Sequence, residues 1–109
     1  MAEISWTPDA EEDLREVHAF IARNSLTAAE SLILQLVATV GRLREYPQSG
    51  RIVPEFAHDD LRELIFGAYR IVYRVKGATL EIIRVRHGAR LLRRSQICWV
   101  GFRTLSGYR

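Results

Sequence analysis

Near Asp60 the spacing of the apolar residues changes, and this change narrows the folds open to the chain more than any other feature. Before it, Ala10, Leu14, Val17 and Ile21 recur at helical intervals, and so do Ala29, Ile33, Leu36, Val40 and Leu43. Each set forms one stripe along an amphipathic helix. After it the period is two: Leu61, Glu63 and Ile65 alternate with Arg62, Leu64 and Phe66. Tyr69, Ile71, Tyr73 and Val75 then alternate with Arg70, Val72 and Arg74, which is the pattern of a strand with two different faces. Helices followed by a run of strands imply an α+β fold with the helices on one side of an antiparallel sheet.

The boundaries follow from local chemistry. Ile4 and Trp6 suggest a short opening strand, and Thr7-Pro8 supplies an N-cap followed by proline at the first helical position. Asp9, Glu11, Glu12 and Asp13 fall in the first turns, where carboxylates suit the helix dipole, and are expected to be solvated. Thr27-Ala28-Ala29-Glu30 has capping-box spacing, so a second helix follows after a short link and packs against the first as an antiparallel hairpin. Pro47 stops it, and residues 48–58 read as a loop. Gly67-Ala68 and Gly77-Ala78 separate three consecutive strands, a meander ending near His87. One face of this meander is apolar and suits the helices. The other is basic.

At 109 residues the chain has room for a single core. An apolar share of 48% with 27% charged residues is ordinary for a folded domain, and the net charge of +3 mildly favours acidic partners. Cys98 is the single cysteine, which excludes an internal disulfide and a multi-cysteine metal site and fits a reducing compartment. His18 and His58 lack metal-ligand spacing, and no metal site is expected. The acidic N-terminus is unlike a secretory signal. Arg70 and Arg74 interrupt the most hydrophobic region before it reaches the ~20 residues that span a bilayer, so a cytoplasmic protein with no membrane partner is expected.

The order strand, helical hairpin, meander resembles the RelE/ParE family of bacterial type II toxins. So do the words "ISWTPDAEEDL", "P..GR.VPEF", "REL", "YRIVYRV" and "VRHGAR". The resemblance gives a toxin domain over residues 1–92, followed by an atypical tail, 93–109. It implies a neighbouring antitoxin that wraps a partly disordered helical segment over the toxin, and it implies no cofactor. The tail is expected to be partly ordered at most, or to dock through Trp99 and Phe102.

Within the family two targets are known, DNA gyrase for ParE-like members and mRNA on the ribosome for RelE-like ones. Arg70 stands where RelE-type nucleases carry an arginine that neutralises the scissile phosphate, and His87 about where another nuclease branch places its histidine. With Arg90 they form the candidate catalytic set of a ribonuclease. Against this, the paired lysines of the RelE branch correspond to Leu61 and Glu63, an apolar side chain and an anion. The active-site tyrosine is also missing, since Gly88 follows His87. The "VPEF" loop and "HGAR" ending look like ParE. The favoured expectation is therefore a gyrase inhibitor, not an enzyme, neutralised by a ParD-like antitoxin with an acidic segment. The alternatives are a ribosome-dependent endoribonuclease and an inert member that only binds antitoxin. Arg74, Arg84, Arg86, Arg90 and Leu91 are the candidate contacts for antitoxin or target.

Each of these residues also has a purely structural reading. Arg70 could pair with Glu63 or Glu81 on neighbouring strands. Arg74, Arg84 and Arg86 could form a solvated face, His87 could be a hydrogen-bonded strand end, and Tyr69 and Tyr73 are core packing.

Overall fold

The computed structural model describes residues 2–56 and 58–88. Strand β1 (Glu3–Trp6) leads into helix α1 (Pro8–Ala22), helix α2 (Leu26–Gly41) and a 3-10 turn (Arg42–Arg44). Strands β2 (Arg51–Ile52), β3 (Leu61–Phe66), β4 (Tyr69–Lys76) and β5 (Thr79–His87) follow. The expected α+β architecture is present, with the sheet ordered β1-β5-β4-β3-β2. β3, β4 and β5 form the antiparallel meander. β1, however, lies parallel to β5, so the sheet is mixed rather than wholly antiparallel. The short β2, within residues expected to be loop, pairs with the edge of β3.

Thr7 caps α1 as its sequence indicates: its Oγ1 accepts the Ala10 N–H at 3.1 Å, with Pro8 next in the helix. The second cap differs from expectation. Ser25, not Thr27, accepts the Ala28 N–H at 3.1 Å, so α2 starts earlier than the capping-box spacing suggests. A serine hydroxyl caps as well as a threonine one, and the short link places it first. Ala29, Leu36, Val40 and Leu43 of the predicted stripe are buried. Leu36, Val40 and Leu43 meet Ile71, Tyr73, Leu80, Ile82 and Val85 on the helix-facing side of the sheet. A fully buried leucine such as Leu36 contributes about 1.5–3 kcal/mol. The tight β3–β4 and β4–β5 turns need a left-handed residue, and Gly67 (φ 57°) and Gly77 (φ 60°) supply it.

The stretch Leu26–Arg44 is long and apolar enough to cross a membrane by length and composition, contrary to the expectation that no stretch reaches that length. Its buried stripe is also what a core helix of a folded domain presents.

The opposite face of the sheet departs from the simple apolar/basic division. Val53, Leu61, Val72 and Ile83 form a second buried cluster, with Phe56 packed against it. The loop after β2 thus supplies a partial second layer. His58 in that loop is also buried, and its Nδ1 accepts the Asp60 N–H at 3.2 Å.

The register of the β4–β5 hairpin shifts by one residue. From the turn outward Lys76 faces Thr79 and Tyr73 faces Ile82, but Val72 faces Arg84, Arg70 faces Arg86 and Tyr69 faces His87. This is a β-bulge around Ile83, held from the side by α1. Thr7 Oγ1 donates to the Ile83 carbonyl at 3.0 Å, and the Asp13 carboxylate accepts the Val85 N–H at 2.9 Å.

Candidate functional site

Arg70 projects from β4 onto the face away from the helices, and there its guanidinium is enclosed by carboxylates. Its Nε donates to Glu63 Oε1 at 2.6 Å, while Nη1 and Nη2 donate to the two oxygens of Glu55, each at 2.7 Å. Glu63 is itself buried, and its other oxygen accepts from Arg51 Nε at 2.5 Å. The Glu55 hydrogen bonds raise the Arg70 pKa above its ordinary value, against the opposing effect of burial and with further help from Glu63. The side chain is only 6% exposed. Two guanidinium groups and two carboxylates form a neutral network, and Glu55 comes from the "VPEF" loop. A cavity of about 410 Å³ opens beside it, lined by Arg51, Pro54, Glu55, Ile65, Arg70 and Gly88.

Arg74 and Arg84 are engaged in the same way, so these two members of the basic face expected from the sequence are not solvated. Arg74 is buried and its Nε donates to Glu81, its direct cross-strand neighbour. Arg84, at the bulge, turns to α1 and holds Asp13 in a two-pronged pair, Nε to Oδ2 at 2.8 Å and Nη2 to Oδ1 at 2.9 Å. The hydrogen bond to Asp13 raises the Arg84 pKa against burial. Asp13 was expected to be a solvated dipole partner; it is instead buried, because it accepts both Arg84 and the Val85 amide. No spacing in the sequence connects Asp13 to residues more than seventy positions away. Arg86 is half-buried opposite Arg70.

His87 lies elsewhere. It pairs with Tyr69, the neighbour of Arg70 that points to the helix side, and the two rings meet edge to face with centroids 5.9 Å apart. Both line a groove of about 520 Å³, whose other wall carries Glu16, Val17 and Phe20 of α1. The candidate catalytic residues Arg70 and His87 therefore face opposite sides of the sheet. Arg90 and Leu91 fall outside the described residues, as does the tail 93–109. Among the described residues no cluster of three or more histidine, cysteine or carboxylate side chains has the arrangement to hold a metal ion.

The remaining tyrosine of β4, Tyr73, is fully buried, and its hydroxyl accepts the Gly50 N–H at 3.0 Å. Burial raises its pKa above the ordinary value. It is a structural residue, as its place in the apolar stripe indicates.

Residues 4–92 match the family described as the ParE toxin of the type II toxin-antitoxin system parDE. The chain belongs to this toxin family. Toxin RelE2 of Caulobacter vibrioides is 38% identical over 92 residues, which cover 84% of this chain and 100% of that protein. A solved structure described as a chromosomal ParDE TA system from P. aeruginosa shares the fold. Its TM-score is 0.67 at 22% identity, covering 80% of this chain and 96% of that one. As a type II toxin the protein has a cognate antitoxin as its partner.

Proposed function

We propose that this ParE-family toxin arrests growth through protein contact with DNA gyrase in the cytoplasm, without chemistry of its own, and that a ParD-like antitoxin neutralises it. The observation that carries this reading is the separation and occupation of the nuclease candidates. A phosphoryl-transfer site needs a cation and a proton carrier around one phosphate. Here Arg70 is clamped between Glu63 and Glu55, and His87 faces the other side of the sheet. An approaching phosphate would meet Glu63 and Glu55 along with the guanidinium. The related proteins bear both ParE and RelE names, so names alone do not choose the target.

The test compares two activities of the purified toxin. Inhibition of gyrase supercoiling, with DNA-damage signalling on expression in cells, is the expected result. Codon-phased cleavage of mRNA on ribosomes with supercoiling unaffected would replace this reading with the ribonuclease one. His87→Gln sharpens the comparison. Loss of a general acid or base costs a nuclease roughly 10²–10⁴-fold in rate, whereas toxicity by contact is expected to survive the change.

A further inference from the structure

Helix α2 is apolar around more of its circumference than the core uses. Ala29, Leu36 and Val40 are buried, yet Leu26, Leu34 and Val37 stand 56%, 72% and 43% exposed. At about 100° per residue these three share one stripe with Glu30, Ile33 and Gly41, beside the buried one. Single exposed leucines are ordinary, whereas a contiguous apolar stripe three turns long is the kind of surface at which proteins associate.

The charges on this stripe are few and lie toward opposite ends. Glu30 is the single charged residue of α2, one turn in from its start. Near the other end Gly41 has no side chain, and the Arg44 guanidinium folds back over it: a Cβ at Gly41 would lie 3.4 Å from Arg44 Nη1. Glu30 and Arg44 are both exposed, and among the described residues neither has an ion-pair partner. Of the other charges nearby, Arg23 stacks on Phe20, 5.6 Å from its ring centroid. Arg42 reinforces Arg44, and Glu45, past the 3-10 turn, leaves that end net positive.

A stripe that is negative toward one end, apolar in the middle and positive toward the other complements itself when turned end for end. We propose that two copies of this toxin associate through α2, the helices antiparallel across a two-fold axis, with Leu34 of each copy against Val37 of the other. In that register Glu30 falls opposite Gly41 of the second copy, where its Arg44 guanidinium lies. The symmetry makes this pair twice, and the antiparallel helix dipoles favour the same arrangement. Other occupants fit less well. An acidic antitoxin segment laid along the stripe would meet Arg44 at one end but Glu30 at the other, and a bilayer would have to take Glu30 into hydrocarbon. The inference is independent of the gyrase assignment, and its test uses no growth or supercoiling readout.

The test is sedimentation velocity of the full-length toxin without antitoxin, from about 5 to about 500 µM, a range that brackets the dissociation constant on the order of 10–100 µM expected of an interface one helix wide. A reversible step from monomer to dimer is expected. Leu34→Lys should leave monomer alone, with circular dichroism and melting temperature unchanged because the side chain it replaces is exposed. Glu30→Arg and Arg44→Glu should each weaken the dimer about three- to tenfold, the effect of losing two exposed ion pairs and gaining like-charge contacts. The double variant should recover wild-type affinity, since each swapped charge again meets its opposite. Monomer alone across the range, a dimer that persists in Leu34→Lys, or a double variant no tighter than the single ones would overturn the proposal. So would a monomeric wild type whose binding to antitoxin, or to phosphatidylcholine vesicles, is lost on Leu34→Lys, which would assign the stripe to that occupant instead.

Discussion

The two faces of the sheet are both buried, but by different means. On the helix side, Leu36, Val40 and Leu43 meet Ile71, Tyr73, Leu80 and Ile82 in a continuous apolar core. On the other side the apolar cluster of Val53, Leu61, Val72 and Ile83 is small, and the remaining space holds Arg70, Glu63 and Arg74 with their partners. Hydrocarbon on the first face gains stability from every atom removed from water. Charges on the second must be matched, because an unpaired buried ion is costly whereas a matched network is close to neutral. A row of arginines on a strand is thus no proof of a nucleic-acid site. Here carboxylates from neighbouring strands, a loop and the first helix pair with Arg70, Arg74 and Arg84.

This contrast is open to direct attack. The largest effect is expected from Arg70→Ala, which leaves the buried Glu63 with Arg51 alone and takes from Glu55 its two-pronged partner, and should cost about 3–5 kcal/mol in denaturant unfolding. Replacing Arg70, Glu63 and Glu55 together with apolar residues of similar volume should restore most of that loss. A single substitution as mild as a surface change would mean that the network is not buried in solution. On the helix face Leu36→Ala is expected to cost about 2–5 kcal/mol with no such rescue.

Asp13→Ala comes next. It removes the acceptor of both the Arg84 guanidinium and the Val85 amide. A loss of about 2–4 kcal/mol is expected, with a smaller one for Asp13→Asn, which keeps an acceptor for the amide. Chemical shifts at Ile83 to Val85 should move in both variants if Asp13 holds the bulge.

Tyr73→Phe is expected to cost about 1–3 kcal/mol at neutral pH, because the buried Gly50 N–H loses its acceptor. Its pH dependence has a definite sign. The folded-state pKa is raised above 10.0, so the folded protein retains a proton that the unfolded chain releases. The Tyr73 contribution is complete below that value and falls away as pH rises through the folded pKa. Wild-type stability should therefore decline more steeply above pH 10 than that of Tyr73→Phe, as followed by urea unfolding at fixed pH values. The smallest effect belongs to Arg15→Ala. Its pair with Glu12 is 67% and 58% exposed, and a change below about 0.5 kcal/mol is expected.

Much of this architecture was legible in the order of residues. The helical stripes, the Thr7-Pro8 cap, the glycine turns and the alternation of β4 all report local geometry, which a few neighbouring residues fix. The family words placed them in one fold. The site was less legible. Arg70 was singled out together with Glu63, one of its eventual partners, but Glu55 reaches it from a loop fifteen residues earlier, and Asp13 reaches Arg84 from the first helix.

The bulge shows where local information ends. Counting from the Lys76–Thr79 turn in uninterrupted register, Arg70 would oppose Val85, and His87 would fall on the arginine face. One extra residue at Ile83 reverses this and sets His87 beside Tyr69, across the sheet from Arg70. Nothing in "TLEIIRVRH" marks that slip, because a strand changes face with every residue and a single insertion flips all that follow. Periodicity and capping act over one or two turns, and they marked both helices and every strand except the short β2, which lies in residues read as loop. The faces on which the candidate residues stand were decided only when Thr7 and Asp13 of the first helix came to rest on the edge of the last strand and held the extra residue in place.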